Sequence, residues 1–344
     1  MIDYSVLDYA IIDEGETAQQ ALEHTIEMAQ LAEELGYKRF WIAEHHNLPA
    51  FASASPEIIM GEVLNKTQHI KVGSGGVMVV HYSPYKVAEI FKTLVAYHPG
   101  RVDLGLGNNQ GTAVVHKALD TKDKTSYEEK LADVYDYLTD KLAEEGSPSK
   151  EKTCSAILHC NPKITEVPEM WVLSNSVKRA KITAELGLGY VYGIFPQAQE
   201  KALEIGRQAA ETYRKYFKPS KALPEPHVIF AAFVAIDDEE QRAKDLTKIL
   251  DLWLMGKDQF SYYKHFPTLK ETRQTTISEK EAVVISQNKH RMITGTKEEV
   301  KEQIQKWCQG MQVDEVLLMP LMPGVEQRKK SLKLLAECCQ EIQL

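Results

Sequence analysis

The chain has 344 residues, of which 43% are hydrophobic and 26% are charged. These proportions are ordinary for a globular protein and exclude collagen-like, disulfide-scaffold and disordered chains. Lys and Arg number 41 and Asp and Glu number 49, which gives a formal net charge of −8. An acidic balance argues against a nucleic-acid binder and against binding to an anionic membrane surface.

No segment of the sequence has the features of a membrane span or a secretion signal. The longest wholly apolar run covers residues 228–236, well short of the roughly 20 residues that a membrane span needs. The N-terminus has no basic region followed by a long apolar run, so we expect no signal peptide. The five cysteines are odd in number and form no C-x-x-C pair. We therefore expect a reduced, cytoplasmic protein.

Short apolar segments alternate with segments of helical periodicity along most of the chain. We predict strands at 4–7, 39–43, 70–80, 102–106, 170–173, 190–195, 227–236 and 316–319. We predict helices near 17–35, 56–65, 84–96, 128–142, 180–186, 199–216, 237–255, 296–307 and 326–339. Residues 145–168 read as a surface excursion and residues 257–278 as an irregular insertion.

Eight strands, most of them followed by a helix, are typical of an α/β protein with the (β/α)8 TIM-barrel fold. We therefore predict one domain over residues 1–344, with the insertion at 257–278 placed before the last strand. A doubly wound sheet is the alternative, because strand order cannot be read from spacing. In a barrel, functional residues belong at the C-terminal ends of the strands.

Two adjacent histidines, His45 and His46, follow the second predicted strand together with Glu44. They could act as acid–base groups or as metal ligands. Adjacent strand residues point to opposite faces, so we expect only one histidine to face a pocket, which argues against a metal chelate. Other metal-ligand patterns are absent, and we predict no metal site. A hydrogen-bonded structural histidine is the alternative.

Glycines cluster at the ends of the third and fourth strands. Gly75 and Gly76 indicate either the close approach of a ligand to the backbone or a β-bulge. The pattern G-x-G-x-x-x-G over residues 105–111 differs from the dinucleotide fingerprint. Its loop residues Asn108, Asn109 and Gln110 could still present backbone N–H groups to a phosphate.

A polar segment follows the fifth strand, where a helix begins. Asn175, Ser176 and Arg179 combine an amide, a hydroxyl and a cation at a helix N-terminus, which suits a phosphate. Plain N-capping by Ser176 or Asn175 is the alternative.

Taken in order, these motifs match a known family. The chain resembles the bacterial luciferase-like flavin monooxygenases, especially the single-chain oxidoreductases with an Ala-Glu-His-His-Asn strand end. That sequence occupies residues 43–47 here. Further matches lie at 5–8, 15–17, 39–42, 72–78, 83–89, 98–107, 171–173, 184–188 and 295–296, so the resemblance covers most of the chain.

The resemblance implies a (β/α)8 barrel that binds reduced FMN at its C-terminal face. A separate NAD(P)H:flavin reductase supplies the FMNH2, oxygen adds at flavin C4a, and the peroxyflavin oxidises a small organic substrate. His45 matches the family histidine near the flavin, with His46 as the second candidate. Gly75 and Gly76 match the position of a non-proline cis peptide behind the isoalloxazine ring. The resemblance also implies a homodimer, and we expect substrate contacts from loops 50–55 and 257–278.

The sequence departs from the family around the flavin phosphate. Asn108 stands where relatives usually have Arg, and Asn109 and Gln110 replace a usual Ala-Pro. Arg179 stands where a Ser or Thr is usual. We interpret Arg179 as the replacement phosphate ligand, beside Asn175 and Ser176. The alternatives are an F420-dependent hydride-transfer oxidoreductase and a flavin-binding barrel without turnover.

Overall fold

The structure is a computed structural model that describes residues 2–119, 123–141, 158–256 and 263–342. Nine parallel strands are present in these ranges. They are β1 (Asp3–Asp8), β2 (Arg39–Ile42), β3 (Lys71–Met78), β4 (Val102–Gly107), β5 (Glu169–Ser174), β6 (Gly189–Gly193), β7 (Val228–Asp237), β8 (Met292–Thr296) and β9 (Glu315–Pro320).

Helices connect most of the strands. They are α1 (Ala18–Glu34), α2 (Pro56–Lys66), α3 (Pro84–Tyr97), α4 (Ala113–Ala118), α5 (Tyr127–Leu138), α6 (Val177–Glu185), α7 (Ala202–Tyr216), α8 (Glu240–Met255), α9 (Leu269–Gln274), α10 (Glu279–Asn288), α11 (Lys297–Met311) and α12 (Val325–Glu341). Among the described helices, none is both long enough and apolar enough to cross a membrane.

Eight of the strands close into a barrel. Strands β1 to β7 pair in sequence order, β7 then pairs with β9, and β9 pairs with β1. The pair Asp3↔Glu315 joins the first and last strands, and Ile229↔Glu315 joins β7 to β9. This closure confirms the predicted (β/α)8 barrel and excludes the doubly wound sheet. The eight barrel strands are the eight predicted from the sequence.

Strand β8 is outside the closed ring, and the sequence analysis missed it. It pairs with the C-terminal half of β7, from Phe233↔Met292 to Asp237↔Thr296. The helix predicted from residue 296 is present as α11, with Thr296 as its N-cap, but no strand was predicted before it. The segment is five residues long and contains a glycine at φ 141°. Such a strand has no hydrophobic pattern to reveal it, and only its pairing with β7 defines it.

The insertion before the last barrel strand is more ordered than the sequence predicted. Its described part, from residue 263 onward, contains α9 and α10. Both begin with capping boxes, in which Thr268 pairs with Glu271 and Ser278 pairs with Glu281. The prediction that residues 257–278 are irregular is therefore wrong over α9. The capping box at its N-terminus favours a helix although the apolar periodicity is weak. Residues 257–262, and most of the predicted excursion at 145–168, lie outside the described ranges.

The N-terminal end of the barrel is closed by buried charges. Nη1 of Arg39 lies 2.8 Å from both Asp103 and Glu169, and Nε lies 3.0 Å from Glu315. The Arg39 guanidinium also lies 4.5 Å from the centre of the Trp171 ring. This network occupies the N-terminal end of the barrel, opposite the C-terminal mouth.

Candidate active site

Strand order brings the predicted site residues to one side of the barrel mouth. In the β3–β4 register Met78 pairs with Gly107, and in the β4–β5 register Leu106 pairs with Val172. The residues that follow β2, β4 and β5 therefore flank the glycines of β3 on consecutive strands. The structure thus brings together segments that are more than 100 residues apart in the chain.

Gly75 and Gly76 lie on β3, where the bond between them is cis. The β3–β4 register shifts between Ser74 and Val77, which agrees with the alternative of a local irregularity such as a bulge. A Cβ on Gly76 would lie 2.8 Å from the carbonyl carbon of Gly105, so the position takes no larger residue. Both glycines line an apolar cavity, together with Leu7, Trp41, Gly105, Leu106, Trp171, Leu173, Val191, Phe195 and Leu317.

His45 lies among aromatic side chains. Its ring centre is 4.6 Å from that of Tyr9 and 5.3 Å from that of Phe51. The ring atom Nδ1 is buried and has no hydrogen-bond partner among the described residues. Burial lowers the pKa of His45 to about 4, with a further contribution from His46. The imidazole is therefore neutral near pH 7 and can accept a proton at a buried atom.

His46 belongs to a different hydrogen-bond network. Its Nε2 lies 2.7 Å from Oε1 of Glu44, which also accepts a hydrogen bond of 2.6 Å from the Tyr82 hydroxyl. The second Glu44 oxygen accepts a hydrogen bond of 2.8 Å from the backbone N–H of Met78. The two histidines contact different groups, although both lie after the end of β2, where strand alternation no longer applies. Glu44 links the end of β2 to the end of β3, a role the sequence analysis did not assign.

The loop after β4 is exposed at all three predicted positions, Asn108, Asn109 and Gln110. The Asn109 side-chain oxygen accepts a hydrogen bond of 2.9 Å from the Gly111 N–H. The Gln110 carbonyl oxygen lies 3.2 Å from Nε2 of His81. Burial lowers the pKa of His81 despite that contact.

The segment after β5 begins a capped helix and contains a cation, Arg179, that forms an ion pair. Asn175 is half-buried, and the Ser176 hydroxyl accepts a hydrogen bond of 3.2 Å from the Arg179 N–H, which is the predicted N-cap geometry. Nη1 of Arg179 lies 2.7 Å from Oε1 of Glu128. The guanidinium also lies 4.7 Å from the Tyr127 ring centre. Arg179 thus has a carboxylate partner at the start of α5.

Several residues at the mouth were missed by the sequence analysis. Tyr9 directly follows β1, and a strict search of all strand ends would have found it. Phe51 lies in the loop 50–55 from which substrate contacts were expected, and its ring centre is 5.2 Å from that of Tyr9. Phe233 lies 5.3 Å from Phe195 and 6.2 Å from Tyr9, between ring centres. These rings form an apolar wall beside His45.

The residues present fit a flavin. Gly75 and Gly76 have no side chains that would keep a flat aromatic ring away from the backbone, and the unpartnered Nδ1 of His45 is a buried polar atom able to contact a heteroatom. The hydroxyls of Ser174 and Ser176 lie at the N-terminus of α6, where helix dipole and free N–H groups favour a phosphate. FMN and deazaflavins both carry such a ring and phosphate.

Comparisons with known proteins agree with this geometry. The family model described as luciferase-like monooxygenase matches residues 4–315. YwcH of Bacillus subtilis is 36% identical over 341 residues, which cover 98% of this chain and 99% of that protein. The N-acetyl-S-alkylcysteine monooxygenase of the same organism is 31% identical over 341 residues, with 98% of each chain covered.

Solved structures share the fold across the whole chain. The apo-MsnO8 structure has a TM-score of 0.83 and 30% identity, with 100% of both chains covered. More distant structures include the oxygenating component of 3,6-diketocamphane monooxygenase from Pseudomonas putida with FMN, at a TM-score of 0.70, 15% identity and 100% coverage of both chains. An F420-dependent secondary alcohol dehydrogenase has a TM-score of 0.66 and 18% identity, with 98% of both chains covered. The chain belongs to the luciferase-like monooxygenase family.

Proposed function

We propose that the protein is a monooxygenase that uses reduced FMN and O2 to oxidise a small organic substrate. The observation that carries the proposal is the glycine pair Gly75–Gly76 at the barrel mouth. It is flanked by the neutral His45 after β2 and by phosphate-type donors after β4 and β5. Bound FMNH2 would supply the two electrons needed to activate O2.

The roles of the residues follow from their surroundings. The backbone of Gly75 and Gly76 would contact the flavin ring, and His45 would accept or hold a proton at Nδ1. The rings of Tyr9 and Phe51 would exclude water from the reacting atoms. Asn175, Ser176 and Arg179 would bind the phosphate, with Asn108, Asn109 and Gln110 closing the site from the β4 side. His46 would act through Glu44 as a positioning residue.

The proposal includes a separate NAD(P)H-dependent flavin reductase as the source of FMNH2 and a homodimer in the cytoplasm. Both rest on the resemblance to two-component luciferase-like flavin monooxygenases. We also propose that residues 1–344 act as one barrel domain, because the described strands form a single closed sheet.

The proposal predicts saturable binding of FMN, tighter for the anaerobically reduced form. Binding can be followed by the fluorescence of the four tryptophans, since Trp41 and Trp171 line the cavity. Oxygen uptake with FMNH2 is then measured in the same preparation. Failure of both flavin forms to bind would overturn the proposal. Binding of a deazaflavin without oxygen uptake would favour the F420 alternative.

Two variants test the phosphate side of the site. Arg179→Ala is expected to weaken FMN binding about tenfold or more, because a charge-assisted hydrogen bond contributes about 1.5–3 kcal/mol. Glu128→Gln is expected to tighten binding, because it removes the carboxylate that competes for Arg179. Lys181→Ala is the control, since Lys181 lies on the same helix and pairs with Glu185. Wild-type FMN affinity in Arg179→Ala would contradict this assignment.

A further inference from the structure

Among the described residues, Arg291 is a half-buried cation without a carboxylate partner. In the same part of the chain, four cations are almost fully buried, and each forms an ion pair: Arg39, Lys92, Lys130 and Arg328. Arg291 instead donates from Nε to the Phe195 carbonyl oxygen at 2.7 Å and from Nη1 to the Asn288 side-chain oxygen at 3.0 Å. Within the described ranges both partners are neutral, so the positive charge is not balanced.

The position of Arg291 places its charge at the barrel mouth. It ends a short 3-10 turn directly before β8, whose first residue, Met292, pairs with Phe233 of β7. Its acceptor, Phe195, follows β6 and also lines the apolar cavity beside the glycine pair. Burial raises the pKa of Tyr9, and the charge of Arg291 opposes that rise. The guanidinium is therefore close to the aromatic wall that includes His45.

Partial burial of the Arg291 charge lowers the stability of the fold unless a ligand compensates for the charge. A cation removed from water loses hydration free energy, and here no carboxylate of the described chain offsets the loss. Burial accordingly lowers the pKa of Arg291. A guanidinium has five N–H donors, and two of its nitrogens are engaged. The remaining donors on Nη1 and Nη2 lie side by side, which matches the two oxygens of a carboxylate.

Arg291 is separate from the proposed phosphate site. Ser176 and Arg179 follow β5, whereas Arg291 lies against the ends of β6 and β7. The rings of Tyr9, Phe195 and Phe233 pack against one another at this end of the barrel and offer apolar surface. A ligand complementary to this surface has an apolar body and one anionic end.

We propose that Arg291 binds the carboxylate of the organic substrate, so that the substrate class is a small organic acid with an apolar body. The inference rests on the proposed function, because it assigns a substrate to the same barrel mouth. It makes Arg291 a specificity-determining residue, which orients the apolar part of the acid toward the rings of Tyr9 and Phe233 and toward His45.

The test compares acids with their amides, which have nearly the same shape and no charge. Butanoate, hexanoate and 3-phenylpropanoate, each with the matching amide, are titrated calorimetrically into the full chain at pH 7, with and without saturating FMN. We expect at least one acid to bind tenfold or more tightly than its amide, because the amide loses the charge-assisted contacts. Equal affinities throughout, or no binding of any acid, would overturn the proposal.

Variants then assign the preference to Arg291. Arg291→Gln is expected to reduce acid binding to the level of the amide and to leave amide binding within twofold of wild type. Arg291→Lys keeps the charge without the guanidinium geometry and is expected to show an intermediate preference. Arg207→Gln removes one charge from an exposed position on α7 and controls for net charge. An undiminished acid preference in both Arg291 variants would overturn the assignment. The wild-type comparison stands even if Arg291→Gln does not fold.

The outcomes separate this inference from the proposed function. If FMN binds and acids show no preference, the flavin site stands and the substrate assignment fails. If acids bind through Arg291 and FMN does not bind, the substrate assignment stands and the flavin proposal fails.

Discussion

At the scale of single residues, the two adjacent histidines have opposite environments. His45 is packed against Tyr9 and Phe51 with an unpartnered Nδ1, whereas His46 is bonded to Glu44. A polar atom buried without a partner costs stability and calls for an explanation, such as a catalytic role. His45 is therefore the stronger candidate for contact with the reacting groups.

The lowered pKa of His45 predicts a pH dependence of stability. Burial holds the folded pKa at about 4, whereas an unfolded histidine titrates near 6.5. Between these values the unfolded chain binds more protons, so the free energy of unfolding falls as the pH falls through this window. From pH 7 to 4.5 the loss due to His45 is about 2 kcal/mol. Urea unfolding of wild type and His45→Phe at both pH values measures it.

In His45→Phe, the decline between the two pH values is expected to be smaller by that amount. His69→Gln changes an exposed histidine and serves as the control. Equal declines in wild type and His45→Phe would show that His45 keeps an ordinary pKa in the folded protein.

At the scale of elements, the site depends on the close approach of β3 and β4. The Ser74 hydroxyl donates a hydrogen bond of 2.9 Å to the Gly105 carbonyl oxygen. A Cβ at Gly105 would overlap the Ser74 carbonyl oxygen, so the backbones meet where no side chain fits. The glycines of these strands are thus required by packing.

Two glycine substitutions should therefore change stability in opposite directions. Gly105→Ala is expected to lower the free energy of unfolding by about 3 kcal/mol, because two strand backbones must separate. Gly61→Ala, inside α2, has Leu94 Cδ2 as its nearest atom at 3.8 Å and is expected to raise it by about 0.5–1 kcal/mol. Urea unfolding at pH 7 measures both. Changes of the same sign would contradict the steric argument.

At the scale of the whole molecule, Arg39 connects distant parts of the barrel. It extends from β2 to carboxylates on β4, β5 and β9. Burial alone would raise the pKa of Glu315, yet Arg39 and His227 lower it to about 2. The carboxylate is therefore ionised at neutral pH and depends on the guanidinium.

Removing that guanidinium should destabilise the barrel as a unit. Arg39→Met is expected to lower the free energy of unfolding by about 3–5 kcal/mol, because buried carboxylates lose their partner. Lys86→Met is the control, since Lys86 is 67% exposed and pairs with Glu89, and it should cost less than about 1 kcal/mol. Thermal and urea unfolding at pH 7 measure both. A small effect at Arg39 would show that the carboxylates take up protons instead.

The sequence by itself determined the eight barrel strands, most of the helices and the family. These depend on local signals, such as the buried strand 228–237, the capping residues Thr17 and Ser126, and motifs in a fixed order. The motif at the second strand also placed His45 at the mouth.

Only the tertiary structure decided that β8 pairs with β7 and that Glu44 joins two strand ends. The same holds for the contact of Arg179 with Glu128 and for the position of Arg291 at the mouth. Periodicity and capping act over a few residues, so they are visible in the sequence. Each of these contacts joins residues at least 34 positions apart, and their formation depends on how the closed barrel packs.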